Sequence, residues 1–442
     1  MKSKSLAGIA SILAIATLTT SLCIGEEFRP DAWPSFQNGG HMSVAGDTLP
    51  TRWSAEENIS WKAEIPGYGQ STPIVTEGQI IVTSTSGPNK EKYHLIAYSL
   101  DEGKKLWQKD FTNPSPIENT SYVSRAAPTA VADKSGYIAY YEGGLVVAVT
   151  RDGEVRWERN LVEEYGAISA RHGLASSLEQ NDELVFVWVE RSEEPYLAAL
   201  NKANGETVWK VAGLGKTSWS TPRLVPVDGT TQLVCSASGL IAGFNPDNGE
   251  RLWQFDQIAN NTTCTPIPLG EGRFLIGASE GRGEAAVQTD GSSNGVIQIA
   301  KQDDGSYAAQ FVWQAAKAKS SFGSPIVADK TAWFVNRGGV LFGVDLDTGE
   351  QSSTARLAAG GVWATPIQQN KLLYIFGSKG TTSIIDMGDG EAVAENSLWE
   401  NEEAEEGERS SGEIIYSAVA VPPLLIIRTG DTLYAIQEQP SS

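Results

Sequence analysis

From residue 60 to residue 437 the chain alternates short apolar runs with polar turns, and no stretch shows the 3.6-residue apolar period of an amphipathic helix. Runs such as Gln79-Ile-Ile-Val-Thr83, His94-Leu-Ile-Ala-Tyr98, Leu145-Val-Val-Ala-Val149, Leu184-Val-Phe-Val-Trp188 and Leu424-Leu-Ile-Ile427 are bounded by Gly, Pro, Asn or Asp. Their length and continuity predict strands buried on both faces and joined by tight turns.

The runs recur in a unit. Most units open on a small residue next to proline, as at Ser71-Thr72-Pro73, Ala127-Pro128, Ser220-Thr221-Pro222, Cys264-Thr265-Pro266, Ser324-Pro325 and Ala364-Thr365-Pro366. Units close on a turn glycine followed four residues later by tryptophan: Gly103 and Trp107, Gly153 and Trp157, Gly205 and Trp209, Gly249 and Trp253. Trp61, Trp313 and Trp399 fall on the same ladder. Its steps run from 44 to 60 residues, except a last one of 86 that leaves Ser353 at a vacant sixth place. A period of about 40–50 residues made of short strands predicts propeller blades, and the count is eight.

The eighth unit, from Ile414 to Ile436, stops before any glycine–tryptophan strand, and the missing strand stands at the other end as Ser60-Trp61-Lys-Ala-Glu-Ile65. The expected fold is therefore all-β: an eight-bladed β-propeller closed by the N-terminal strand (about 60–65) completing the last blade, which removes exposed sheet edges. The ladder tryptophans are read as wedges docking one blade on the next. Asn201, Asn245, Asp345 and Asp386 stand four residues before a turn glycine, where a side-chain oxygen can bond the turn backbone.

Length alone would suggest three domains, but repeats that cannot bury their faces alone make residues 60–437 a single one. The 45 glycines and 20 prolines fit many tight turns. Residues 1–25 read as a signal peptide, with Lys2 and Lys4 before a short apolar run broken by threonines; an uncleaved anchor is the alternative. Leu22 before Cys23 argues against lipid attachment, so simple export to the periplasm or another cell-envelope compartment is expected, with no integral span after cleavage. Residues 26–59 form a lead-in and 438–442 a tail. The formal net charge of −20 argues against nucleic-acid partners and against docking on anionic lipid. Cys235 and Cys264 either pair or serve as small buried hydrophobes.

The phrase Ala-x-Asn-x-x-(Asn/Thr)-Gly-Glu-x-x-Trp, complete before Trp209 and with Gly243 for its Ala before Trp253, resembles the pyrroloquinoline-quinone (PQQ) repeat of quinoprotein alcohol dehydrogenase-like propellers. The resemblance runs from Trp61 to Ile436, and Trp33-Pro-Ser-Phe36, Trp53 and Asn58-Ile-Ser-Trp61 look like the lead-in of exported propellers of this kind. That lead-in usually continues Arg-Gly-Pro, where this chain has Gln37-Asn38-Gly39. The family includes quinone-dependent dehydrogenases and cofactor-free propellers, among them the propeller subunit of the outer-membrane β-barrel assembly machinery. Its dehydrogenases commonly carry a Cys-Cys disulfide over the quinone, bind Ca²⁺ through Glu, Asn and Asp, and use an Asp base. This sequence has no Cys-Cys dipeptide, no recognisable hard-cation motif and no Cys-x-x-Cys-His haem motif. The resemblance thus implies a non-catalytic monomer that binds an envelope protein or small ligand and needs no cofactor. The alternative is a PQQ- and calcium-dependent alcohol or sugar dehydrogenase.

Candidate contact residues emerge from the small-residue–Pro steps. Three positions before the proline stand Gln70, Arg125, Trp219, Thr263, Phe322 and Trp363, with Tyr416 at the matching place in the eighth unit. Equivalent positions of successive blades form one ring at the channel entrance, and aromatic and Arg enrichment marks binding surfaces. Tyr68, Tyr122, Arg171 and His172 lie close in sequence. The ring either plugs the channel or forms a binding rim. The acidic run from Glu400 to Glu408 reads as a solvated loop or a weak Ca²⁺ site, and Gly281 to Gly295 as an inserted surface loop. His41, His94 and His172 are scattered, and neither a zinc site nor a Ser-His-Asp arrangement is expected.

Overall fold

The computed structural model describes residues 32–120, 123–279, 292–399 and 413–438. The signal segment, Tyr122, residues 281–291, the acidic run at 400–408 and residues 439–442 lie outside them.

Eight antiparallel sheets of four strands stand around a central channel, one of them extended by a fifth strand. The first blade runs outward through Ile74–Thr76, Gln79–Ser86, Lys92–Ser99 and Lys105–Thr112. Middle strands such as Leu145–Val149 and Leu184–Val189 are buried at every position, because each blade is covered on both faces by its neighbours. Outer strands such as Thr207–Ala212 alternate between buried and exposed. The ring closes as the sequence predicts: Ile59–Glu64 pairs antiparallel with Thr432–Ile436, placing Trp61 opposite Ala435.

The glycine–tryptophan phrase has a direct physical cause. Five of the ladder indoles lie on the turn glycine of the following blade. A Cβ on Gly153, Gly205, Gly249 or Gly349 would stand 2.6–2.7 Å from the ring of Trp107, Trp157, Trp209 or Trp313, and Gly103 meets Trp61 in the same way. These glycines also hold φ values between 64° and 81°, which side-chain-bearing residues rarely adopt. The indole N–H groups of Trp61, Trp107, Trp157, Trp209 and Trp313 reach carbonyls of the same turns at 2.8–3.0 Å. Asn201, Asn245, Asp345 and Asp386 accept backbone N–H groups within those turns, as expected.

Three places depart from the ladder. Trp253 donates instead to Gln232 Oε1 at 2.6 Å. Ser353 occupies the vacant sixth place, and the space over Gly390 is correspondingly open, with Ser353 Cβ 4.0 Å from a hypothetical Cβ. In the seventh blade the ladder position, opposite Ile384, belongs to Ala394; Trp399 lies beyond the strand end and packs on Gly380. Ala394 stands four residues after the turn Gly390, and the same bulge recurs at the ladder position of the other blades, so Trp399 falls on the period but not on the glycine-to-tryptophan spacing.

A second set of contacts joins the blades at the channel wall. The N–H of Thr72 donates to Thr129 Oγ1, that of Thr129 to Ser177, Ser177 to Thr221, Thr221 to Thr265 and Thr265 to Ser324, each at 2.9–3.0 Å. A hydroxyl just ahead of each innermost strand thus satisfies an N–H just ahead of the innermost strand of the preceding blade.

The lead-in closes the channel from the face opposite the blade-to-blade loops. Trp33 bridges to Val75, Pro34 accepts from Ala132 N, and Ser43–Val44 pairs in parallel with Ile367–Gln369 as the fifth strand of the seventh blade. Gln37 crosses the channel, giving its amide to Thr365 Oγ1 at 2.9 Å and accepting from Arg223 at 3.3 Å. Arg223 also pairs with buried Glu179 at 3.0 Å. Gln37, Asn38 and Gly39 all hold left-handed φ values of 48–67°, so the turn that presents Gln37 is strained and held by its contacts.

Cys235 and Cys264 are buried and free, and burial pushes the Cys264 thiol up to about 11. Burial also raises the carboxyls of Glu142, Glu179 and Glu190 above the usual range, despite Lys90, Arg223 and the N–H groups that bond Glu190. In that window, above 4.5, the folded chain holds more protons than the unfolded one, so stability falls as pH rises through the folded values. Repulsion within a strongly acidic chain has the same sign. His41, lowered by desolvation and by Arg223, opposes this below 6.5. Thermal melts should give a Tm a few degrees higher near pH 5.5 than near pH 8; a lower Tm at the acidic end would contradict this balance.

Candidate functional site

The expected ring assembles in part. Phe322 and Trp363 stack with centroids 4.6 Å apart, Trp363 meets Tyr416 edge-on at 5.6 Å, and Tyr416 meets Tyr68 at 6.1 Å. The hydroxyls of Tyr68 and Tyr416 are hydrogen-bonded at 2.8 Å. The Arg125 guanidinium lies 3.5 Å from the centroid of Tyr68, and Arg337 covers Phe322 at 5.1 Å. Gln70 positions Arg125, donating from its N–H to the Arg125 carbonyl and accepting the Arg125 N–H on its side chain. The result is a continuous arc of aromatic and Arg side chains across the sixth, seventh, eighth, first and second blades.

Trp219 stands apart from this arc. Its indole donates to Gly173 O at 3.1 Å and its ring lies 6.1 Å from His172, a brace between the third and fourth blades.

The arc stands at the channel mouth, above lead-in residues that fill the channel. Phe322 and Trp363 are 39% and 41% exposed. Beneath them the walls carry Thr72, Thr263, Ser324, Thr365 and Ser417, and the floor is Trp33, Phe36, Gln37 and Met42 from the lead-in. The cavity enclosed is about 50 Å³, enough for a few waters and far below the several hundred Å³ of ordinary ligand pockets. No carboxylate is among its lining residues. The plugging role of the lead-in was missed by sequence reasoning. Its signal was the density of Trp33, Phe36, Met42, Leu49 and Trp53 in a segment otherwise read as a connector, and all except half-buried Phe36 are buried.

One expectation is corrected. Ser86 Oγ lies 2.7 Å from His94 Nε2, and His94 Nδ1 lies 2.7 Å from Asp110 Oδ1, so a Ser-His-Asp chain does exist. His94 stands directly opposite Asp110 on the neighbouring strand, a register that scattered sequence positions do not disclose. The burial is the reverse of a hydrolytic triad, in which the carboxylate is the buried member: the Asp110 side chain is 53% exposed and His94 7%. The chain therefore ties three strands of the first blade together. Among the described residues no group of three or more His, Cys, Asp or Glu is placed to hold a metal ion.

Fold and repeat together define a PQQ-repeat propeller. The family model described as outer membrane protein assembly factor BamB matches residues 28–187 and 193–439, so the chain belongs to that family. Among curated relatives, outer membrane protein assembly factor BamB of Alkalilimnicola ehrlichii is 25% identical over 213 residues, 48% of this chain and 49% of the relative, so the match spans about half of that protein. The protein of the same description from Shewanella oneidensis is 23% identical over 339 residues, 73% and 75% of the two chains. Among solved structures, BamB from Moraxella catarrhalis superposes with a TM-score of 0.57 at 12% identity, over 87% of this chain and 98% of that one. Quinohemoprotein alcohol dehydrogenase from Comamonas testosteroni gives 0.60 at 10% identity, over 93% and 81%. At such identities these superpositions establish the fold alone. No helix among the described residues is long and apolar enough to cross a membrane.

Proposed function

We propose that this chain is an exported, non-catalytic propeller that holds a protein partner on its loop face in the bacterial cell envelope. The names of its relatives tie them to outer-membrane protein assembly, and we propose the same setting here, with the chain acting as a monomer and without a cofactor. The observation that carries this reading is the half-exposed Phe322–Trp363 stack above a floor sealed by the chain's own lead-in. Exposed aromatic pairs of this size serve as contact anchors. A dehydrogenase would need a quinone-sized slot with carboxylates for Ca²⁺ and for proton abstraction, and the channel mouth offers about 50 Å³ with no carboxylate lining it. Calorimetric titration of the purified protein with PQQ in the presence of Ca²⁺ is expected to give no saturable heat. Saturable binding at micromolar concentration or tighter would favour the dehydrogenase reading instead.

A further inference from the structure

The formal net charge of the chain is −20, yet two arginines at the channel mouth have no carboxylate at ion-pair distance among the described residues. Arg428 is fully buried beneath the arc. Its Nη1 donates to Ser71 O at 2.7 Å and to Ser71 Oγ, its Nη2 donates to Thr83 O at 2.6 Å, and its Nε has no hydrogen-bond partner. Burial without a counter-ion lowers its guanidinium to about 9. Arg125, half-buried over Tyr68, also has an unpartnered Nε. The Tyr68–Tyr416 hydroxyl pair lies in the same cluster. Asp431, the acid that acts on Tyr68, is engaged by the hydroxyls of Thr429 and Thr432. Arg428 is sealed beneath the arc, so Arg125 is the guanidinium within reach of a carboxylate brought in from outside, and a charge-assisted hydrogen bond there is favourable.

The opposite face is acidic: its turns carry Asp101, Glu102, Asp152, Asp247, Asp347 and Asp389, which repel an acidic chain. On the loop side the connection from the seventh blade to the eighth carries the acidic run Glu400 to Glu408, so the attraction is local to the arc and comes from Arg125.

We infer that the partner presents an acidic, extended segment to the arc, in which a carboxylate seats against Arg125 and the Tyr68–Tyr416 hydroxyls while an aromatic or proline side chain packs on Phe322 and Trp363. Two ring-to-ring steps of 5.6 and 6.1 Å separate Trp363 from Tyr68. About three to four residues of extended chain, at roughly 3.3 Å each, cover that span. The apolar anchor and the acid are therefore about three residues apart. This inference rests on the loop face being the docking face.

The test uses fluorescence anisotropy with the purified full chain and a labelled twelve-residue probe, Phe-Pro-Pro-Asp repeated three times, against the same probe with Lys for Asp. The acidic probe should bind saturably, and the Lys probe at least tenfold more weakly. Arg125→Gln should weaken the acidic probe at least tenfold, reduce its salt dependence and leave the Tm unchanged. Equal binding of both probes, no binding up to millimolar protein, or no effect of Arg125→Gln would overturn the inference. So would inorganic phosphate binding more tightly than the probe, which would mark a site for free anions. If the probes fail while a partner still cross-links through position 363, the acidic segment is wrong and the docking face stands.

Discussion

Replacing Trp209 by alanine is expected to lower the stability of the chain by about 3–5 kcal/mol. The indole is buried between the third and fourth blades, where it covers Gly249, donates to Pro246 O at 2.8 Å and lies 6.0 Å from Phe186. Alanine would leave a cavity over a glycine that cannot fill it and would remove the donor from a buried carbonyl. Equilibrium denaturation of the variant against the parent measures the loss. A change below about 1 kcal/mol would mean that the ladder follows the blades and does not hold them together.

Alanine at both Phe322 and Trp363 should have the opposite profile. Both rings are exposed by about two-fifths and stack mainly on each other, so removing them opens no sealed cavity and should change stability by less than about 1 kcal/mol. A central aromatic anchor at an interface is worth about 2 kcal/mol or more, so partner affinity should fall at least roughly thirtyfold. Thermal melts paired with partner retention on the immobilised protein separate the two effects. Trp219→Ala serves as the internal contrast. Its indole is committed to Gly173, so its loss should weaken the brace between blades and leave partner retention largely intact.

Much of the fold was legible because each recurring residue has a mechanical task. Glycine and tryptophan recur together since one lies on the other across a blade boundary, as Gly205 on Trp157 and Gly249 on Trp209. The vacant position at Ser353 and the closing strand around Trp61 could be read for the same reason. Trp399 was misplaced by the period alone: it stands nine residues after Gly390, and the place four residues after that glycine belongs to Ala394. The entrance ring was legible as a set of equivalent positions, and Phe322, Trp363 and Tyr416 do converge. Which of them touch depends on loop paths that spacing does not encode: Arg125 reaches Tyr68, and Trp219 turns to Gly173. The sealed floor and the Ser86–His94–Asp110 chain arise from contacts distant in sequence or from strand register, and neither leaves a local pattern.

The central claim is that the aromatic arc on the loop face contacts a protein partner in the envelope. Site-specific photo-cross-linking in cells tests it most directly, with the photoreactive residue placed at position 363 and, in a separate variant, at position 347 among the turns of the opposite face. A discrete adduct from 363 that is absent from 347, and that is lost when Phe322 is also replaced by alanine, is the predicted result. An adduct from 347 with none from 363 would place the partner on the acidic face and contradict the account.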